Sequence, residues 1–167
     1  MFSLPKNRAD LFQSVSTNRL AVSAMLWSQL PLAAFAGLRI KRLDDSGADV
    51  HLPAGWKTQN PFRSTYFAAQ AMAAEMSTGA PALYFIEKSG KKISSLVTSL
   101  SAKFTKKATT DALFTFEQGA ELREAIERAV ATGEAQVFTA RSIGKQKNGE
   151  VIAEFEITWS FKVKSRQ

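Results

Sequence analysis

The stretch from Thr58 to Gly79, TQNPFRSTYFAAQAMAAEMSTG, constrains the fold more than any other part of this chain. Its centre, Tyr66 to Met76, holds no Gly or Pro and is almost entirely Ala, Met and aromatic, so it reads as a helix that is apolar nearly all round. Such a helix has no wet face and must be enclosed by other elements. Asn60-Pro61 and then Ser64, as N-cap, are its start signals; Gly79 followed by Pro81 is its stop signal. About three turns fit between them. Two polar residues in the segment, Gln70 and Glu75, are not what packing asks for, and Asn60 stands fifteen positions ahead of Glu75.

The flanking sequence supplies strands to enclose that helix. Leu38 to Lys41 and Ala48 to Leu52 alternate apolar with polar around the turn residues Asp44-Asp45-Ser46-Gly47, which reads as a hairpin. Ala82 to Glu87, Ile93 to Thr105 and Ala112 to Glu117 read as three further strands. Ala120 to Thr132 carries Leu122, Ala125, Ile126, Ala129 and Val130 at helical spacing, a half-buried surface helix that Gly133 ends. Two long strands close the chain, Ala135 to Ile143 and Val151 to Lys164, with Asn148-Gly149 as a hairpin turn. In the last, Phe155, Ile157, Trp159, Phe161 and Val163 share one face and Glu154, Glu156, Thr158, Ser160 and Lys162 the other.

The N-terminal segment, residues 1–36, reads as helical and separate from the domain that follows, residues 37–167. Lys6 and Arg8 precede an apolar run, and Ala34-Phe35-Ala36 has the form of a signal-peptidase site, but Arg19, Gln29 and Pro31 break the run. It is too short and too interrupted to span a bilayer. The preferred reading is an amphipathic helix from Ser16 to Leu30, capped by Ser16 or Thr17, with Leu20, Ala24, Trp27 and Leu30 turned to the core; its role as a lid, a membrane-surface anchor or a packing element stays open.

Composition removes several chemistries. There is no cysteine, so no disulfide, thiolate metal site or cysteine nucleophile, and the single His51 cannot build a histidine metal centre. The 22 Lys and Arg against 15 Asp and Glu give +7, which favours an anionic partner. The cations occur in short clusters, Arg39-Lys41-Arg42, Lys103-Lys106-Lys107 and Lys162-Lys164-Arg166, without the aromatic pattern of an RNA-binding sheet. Neither nucleic acid nor membrane contact is expected.

Strands around one buried helix define an α+β class with an antiparallel sheet curled about that helix. From Gly37 to Lys164 the chain resembles the hotdog fold of acyl-CoA thioesterases and acyl-thioester dehydratases, with an extra N-terminal helix and an inserted surface helix. The resemblance is carried by Asn60-Pro61-Phe62-Arg63-Ser64-Thr65-Tyr66-Phe67 with Glu75 beyond it, by Val97 to Phe104 ahead of Lys106-Lys107-Ala108, and by the two closing strands. More narrowly, the chain is similar to a hotdog group with an Asn-Pro-Phe loop and a central-helix Glu, neighbours of the phenylacetate-pathway type thioesterases.

That resemblance implies roles. In the thioesterases a loop Asn and an acidic residue one helix later flank the thioester, the acid acting as nucleophile or as general base for water; Asn60 and Glu75 match these positions. A carboxylate in a dry, apolar site has its pKa raised toward working pH, as a base for water requires. Backbone N–H groups around Tyr66 and Phe67, at the helix N-terminus, would polarise the thioester oxygen. Gln70, Thr98 and Ser99 are candidates for substrate contact, and Lys103, Lys106 and Lys107 for the phosphates of coenzyme A. The family's His-Gly-Gly is replaced here by Tyr66-Phe67-Ala68. The implied protein is a cytoplasmic homodimer, or a tetramer, acting on an acyl-CoA or related thioester, with no cofactor beyond the coenzyme A of the substrate. The alternative is a module of the same fold that binds acyl-CoA or an acyl carrier without catalysis.

Overall fold

A computed structural model describes residues 19–164 of the protein. Lys6, Arg8, the expected caps Ser16 and Thr17, and Arg166 lie outside the described residues. Two N-terminal helices, α1 (Arg19–Gln29) and α2 (Pro31–Ala36), precede the hairpin of β1 (Arg39–Asp44) and β2 (Gly47–Leu52). The long helix α3 (Phe67–Ser89) leads to β3 (Ile93–Phe104) and β4 (Ala112–Phe116), then come α4 (Gly119–Thr132), β5 (Gln136–Gln146) and β6 (Val151–Val163). All strands join one antiparallel sheet in the order β1-β2-β4-β5-β6-β3.

The sheet curls around α3, as the sequence demanded. In β6, Phe155, Ile157 and Phe161 are fully buried and face α3 together with Phe114 and Phe116 of β4, while Glu156 and Lys162 on the other face are exposed. Full burial of each large apolar side chain contributes roughly 1.5–3 kcal/mol, so this inner face is the main source of stability. The surface helix α4 buries Leu122, Ala125, Ile126 and Ala129, as its spacing predicts.

Three expectations are corrected. The central helix does not stop at Gly79-Pro81; it runs on to Ser89 and ends at Gly90 in a left-handed cap, so Ala82 to Glu87 is helix and not a strand. A mid-helix Gly costs about 1 kcal/mol and Pro about 3, relative to Ala. The second half of the helix buries Tyr84, Phe85 and Ile86, which at roughly 1.5–3 kcal/mol each outweighs both penalties. The helix also starts later than Ser64. Its N-cap is Tyr66, with no side-chain cap, because Asn60 N–H···O Ser64 and a bridge between Gln59 and Thr65 close residues 59–65 into a turn.

The third correction concerns α1. Val22 and Leu26 are buried, whereas Leu20, Ala24, Trp27 and Leu30, the expected core contacts, are exposed. Apolar residues stand on more than one side of this helix, so periodicity alone could not choose the inward one.

The β1–β2 turn is locked onto the rest of the domain. The Asp45 carboxylate accepts hydrogen bonds from Tyr84 Oη and Lys88 Nζ, each at 3.0 Å, and the Gly119 N–H donates to Ser46 O at 3.0 Å. A Cβ at Gly119 would collide with the Asp45 carbonyl, which is why α4 begins with glycine.

Candidate functional site

Glu75 lies midway along α3, on the side that meets α1, β1, β3 and β6. It lines a cavity of about 260 Å³ with Met25, Leu26 and Gln29 of α1, Ser95 of β3 and Trp159 of β6 among its neighbours. No other ionisable side chain lines this cavity. Among the described residues Glu75 has no ion-pair partner, and burial pushes its carboxyl above the ordinary glutamate range. The cause is desolvation alone, which disfavours the charged form.

Trp159 supplies the low-dielectric wall. Its indole stacks on Phe161 with ring centroids 6.4 Å apart, and its N–H donates to Thr78 Oγ1 at 3.0 Å. The Thr78 hydroxyl in turn donates to the Glu75 backbone carbonyl at 3.0 Å. Gly79 makes the room these groups occupy: a Cβ there would sit 3.2 Å from Glu75 Oε1 and 3.3 Å from the Trp159 ring. The residue that read as a stop signal is thus a helical glycine at a close approach.

Asn60 organises its own loop. Its Oδ1 accepts hydrogen bonds from the Phe62 N–H at 2.9 Å and from the Ser64 N–H and Oγ at 3.2 Å. This holds Arg63 at φ 58, the one described non-glycine residue with positive φ. The loop is tied to the chain before β4 by Thr65 N–H···O Ala108 at 2.7 Å and Lys107 Nζ···O Phe62 at 3.2 Å. The Asn60 amide Nδ2 has no partner among the described residues and remains a donor.

At the start of α3, the backbone N–H of Tyr66 is not available to a ligand, because it donates to Thr58 O at 2.6 Å. The first unpaired donors of the helix are those of Phe67 and Ala68, with the positive end of the helix dipole behind them. Phe67, Tyr66 and Phe62 are exposed around this end, and Phe67 meets Phe104 of β3 edge to face at 6.4 Å. Eight residues of helix, about 12 Å, separate Phe67 from Glu75. Neither Asn60, Tyr66 nor Phe67 lines the Glu75 cavity.

The remaining predicted residues divide. Gln70 is buried and its Nε2 donates to Thr65 O at 3.2 Å, so it steadies the helix start; its Oε1 has no partner among the described residues. Thr98 sits at a β-bulge with its hydroxyl on Thr158 O at 3.2 Å, and Ser99 is exposed beside it opposite Thr158. Neither lines the Glu75 cavity; Ser95, four residues before Ser99, does. Lys106 pairs with Glu150 at 3.4 Å and Lys107 holds the Phe62 carbonyl, while Lys103 is exposed with no ion pair among the described residues. Sequence reasoning missed Ser95, Trp159 and the α1 residues. The pairing of β3 with β6 was the available signal for Ser95, since Ser95 opposes Phe161 and so shares its inner face.

A six-stranded antiparallel sheet wrapped around one long helix, carrying a lone acid in an apolar cavity on that helix, is a hotdog-type protein of thioesterase-like fold. The chain belongs to the family described as Domain of unknown function (DUF4442), whose model matches residues 18–161. Among curated proteins, no sequence matches it. It is similar to a solved Pseudomonas aeruginosa protein of unknown function and probable thioesterase, at 19% identity and TM-score 0.69, over 96% of this chain and 99% of that one. A Chlorobaculum tepidum protein of unknown function is similar at 12% identity and TM-score 0.75, over 92% of this chain and 94% of that one. A Haemophilus influenzae thioesterase is similar at 17% identity and TM-score 0.58, over 83% of this chain and 87% of that one. At these identities the likeness is one of fold. No described helix is long and apolar enough to cross a membrane.

Proposed function

We propose that the protein hydrolyses an acyl thioester, in the manner of an acyl-CoA thioesterase, as a homodimer. The observation that carries this reading is Glu75, a carboxyl with a raised pKa, unpaired among the described residues, in an otherwise apolar cavity. Such a group is a base for water close to working pH. Water gives a proton to Glu75 as its oxygen bonds to the thioester carbon; the carbon–sulfur bond breaks, and the thiolate takes the proton back. The products are a carboxylic acid and a thiol. Asn60 Nδ2 and the N–H groups of Phe67 and Ala68 polarise the carbonyl oxygen, with Ser95 placed to hold the water.

Because Asn60 lies outside the Glu75 cavity of its own chain, the pair is completed across two protomers. The strand β3 supports this, since its one partner in the sheet is β6 and its other edge is open over 12 residues with Leu96, Leu100 and Phe104 exposed. Long, exposed, apolar edges are rarely left uncovered, and a two-fold pairing covers both at once. The cavity of about 260 Å³ falls below the roughly 300–1,000 Å³ typical of sites for whole drug-sized ligands, so it suits an acyl group, with the coenzyme A moiety outside. Lys103 is the free cation on β3 for a phosphate.

The second reading, an acyl-thioester binder without catalysis, is favoured by one feature: Phe67 and Ala68 replace the glycines that would let a carbonyl oxygen approach the helix start closely. The test is hydrolysis over a panel of short, medium, long and aryl acyl-CoAs by the native protein and by Glu75→Gln. Turnover lost in Glu75→Gln, with the dimer intact, supports the hydrolase. Absence of turnover with a raised melting temperature supports the binder, and equal turnover by both proteins would sink the role of Glu75.

A further inference from the structure

The N-terminal helices carry a surface that the thioester site does not explain. Trp27 of α1, Phe35 of α2 and Trp56 of the loop before α3 are 55%, 45% and 72% exposed. They form one patch. Phe35 meets Trp56 edge to face at 6.2 Å, and Lys57 Nζ lies 4.9 Å over the Phe35 ring. Trp27 shares with Arg39, Lys41 and Lys57 a hollow of about 390 Å³. Leu20, seven residues before Trp27 and therefore on the same side of α1, is 86% exposed.

The cations of this patch are unopposed. Arg42, their neighbour on β1, is held by Asp44 and Asp49, but Arg39, Lys41 and Lys57 have no ion pair among the described residues. The sequence explains why: there is no Asp or Glu between Asp10 and Asp44, nor between Asp49 and Glu75. Residues 19–43 and 50–74 therefore bring no carboxylate to this face; Asp111, which takes the Ala54 N–H, is paired with His51.

We propose that this face docks on an anionic lipid surface, with Trp27, Phe35 and Trp56 in the headgroup boundary and Arg39, Lys41 and Lys57 on lipid phosphates. Tryptophan beside an aliphatic side chain and a fringe of Lys and Arg is the arrangement of interfacial helices that lie on a bilayer without crossing it. A nucleic acid would call for a longer track of cations; here three cations stand beside exposed Trp27, Phe35 and Trp56. The expectation of no membrane contact rested on a run too short and too interrupted to span a bilayer, which does not bear on a helix lying at the surface, and Trp27, expected in the core, faces solvent.

The protein carries its own probe, because its third tryptophan, Trp159, is buried. Titration with vesicles of phosphatidylcholine containing phosphatidylglycerol is expected to blue-shift the emission, and vesicles of phosphatidylcholine alone to leave it unchanged. Trp27→Phe with Trp56→Phe should abolish the shift yet leave co-sedimentation with the vesicles. In Arg39→Gln, Lys41→Gln, Lys57→Gln, partitioning should fall by about fivefold for each cation removed. The triple Lys91→Gln, Lys92→Gln, Lys162→Gln removes the same charge elsewhere and should change partitioning little. Equal loss in both triples would reduce the effect to net charge and overturn the proposal. So would absence of partitioning, an equal blue shift with a single-stranded oligonucleotide, or a shift that tracks protein concentration without vesicles, which would assign the face to a second copy. None of these readouts depends on hydrolysis.

Discussion

The indole N–H of Trp159 donates to Thr78 Oγ1 at 3.0 Å, and this bond fixes the wall against which Glu75 lies. Thr78 is fully buried, so Thr78→Val keeps the shape but leaves the indole N–H unpaired. The expected loss is about 1–3 kcal/mol, read from urea unfolding, the penalty for a buried donor without an acceptor.

Gly79→Ala sets two effects against each other. The alanine gains about 1 kcal/mol of helix propensity. Its Cβ would press on Glu75 Oε1 at 3.2 Å and on the Trp159 ring at 3.3 Å, and the ring, held by Thr78 and Phe161, cannot retreat. Overpacking costs typically 1–3 kcal/mol, so stability should change from nothing to a loss of about 2 kcal/mol. Hydrolysis should fall much further than stability, because the carboxylate is the group that moves.

The two functions of Asn60 can be separated. Asn60→Asp keeps an oxygen to accept from Phe62 and Ser64 but removes the Nδ2 donor. Folding should be nearly unchanged, whereas hydrolysis should drop by about 10²–10³, the usual effect of deleting one oxyanion donor. Asn60→Ala should lower the melting temperature as well. Equal activity in Asn60→Asp and the native protein would confine Asn60 to the turn.

Glu75 makes stability depend on pH in the direction opposite to a salt-bridged acid. Its carboxyl titrates above 4.5 when folded, because burial disfavours the charge. The folded state therefore binds more protons than the unfolded one in the window from 4.5 up to the folded pKa. Stability is fully present below that window and is lost as pH rises through it. Glu75→Gln should melt like the native protein at the acid end and above it at neutral pH, while native hydrolysis should rise with pH as the base ionises.

Leu100→Lys on the open edge of β3 should convert the proposed dimer to monomers in sedimentation, since Leu100 is 46% exposed in the single chain and the proposed pairing would bury a charge there. Hydrolysis should fall with it, because Asn60 and Glu75 would no longer meet.

The pattern signals that worked were those that one local interaction decides. Asp44 to Gly47 and Asn148-Gly149 marked their hairpin turns because turn chemistry is carried by the residues themselves, and the strict alternation of β6 marked its inner face. What failed was decided at a distance. Pro81 is inside a helix because Tyr84, Phe85 and Ile86 are buried by the sheet beyond it. Tyr66 offers no N–H to a ligand because Thr58, on the far side of the loop, accepts it. At the candidate site, Glu75 stood out as an acid in an apolar run, but its cavity is built by Ser95, Trp159 and α1, elements that its own neighbourhood in sequence does not contain.

Leu26 and Ile40 border both the hollow beside Trp27 and the cavity that holds Glu75. The two spaces are neighbouring rooms that share these two side chains as a common wall. One of those side chains belongs to α1 and the other to β1, so the wall has a seam. Truncation of either side chain, as in Leu26→Ala, would thin that wall from both sides at once.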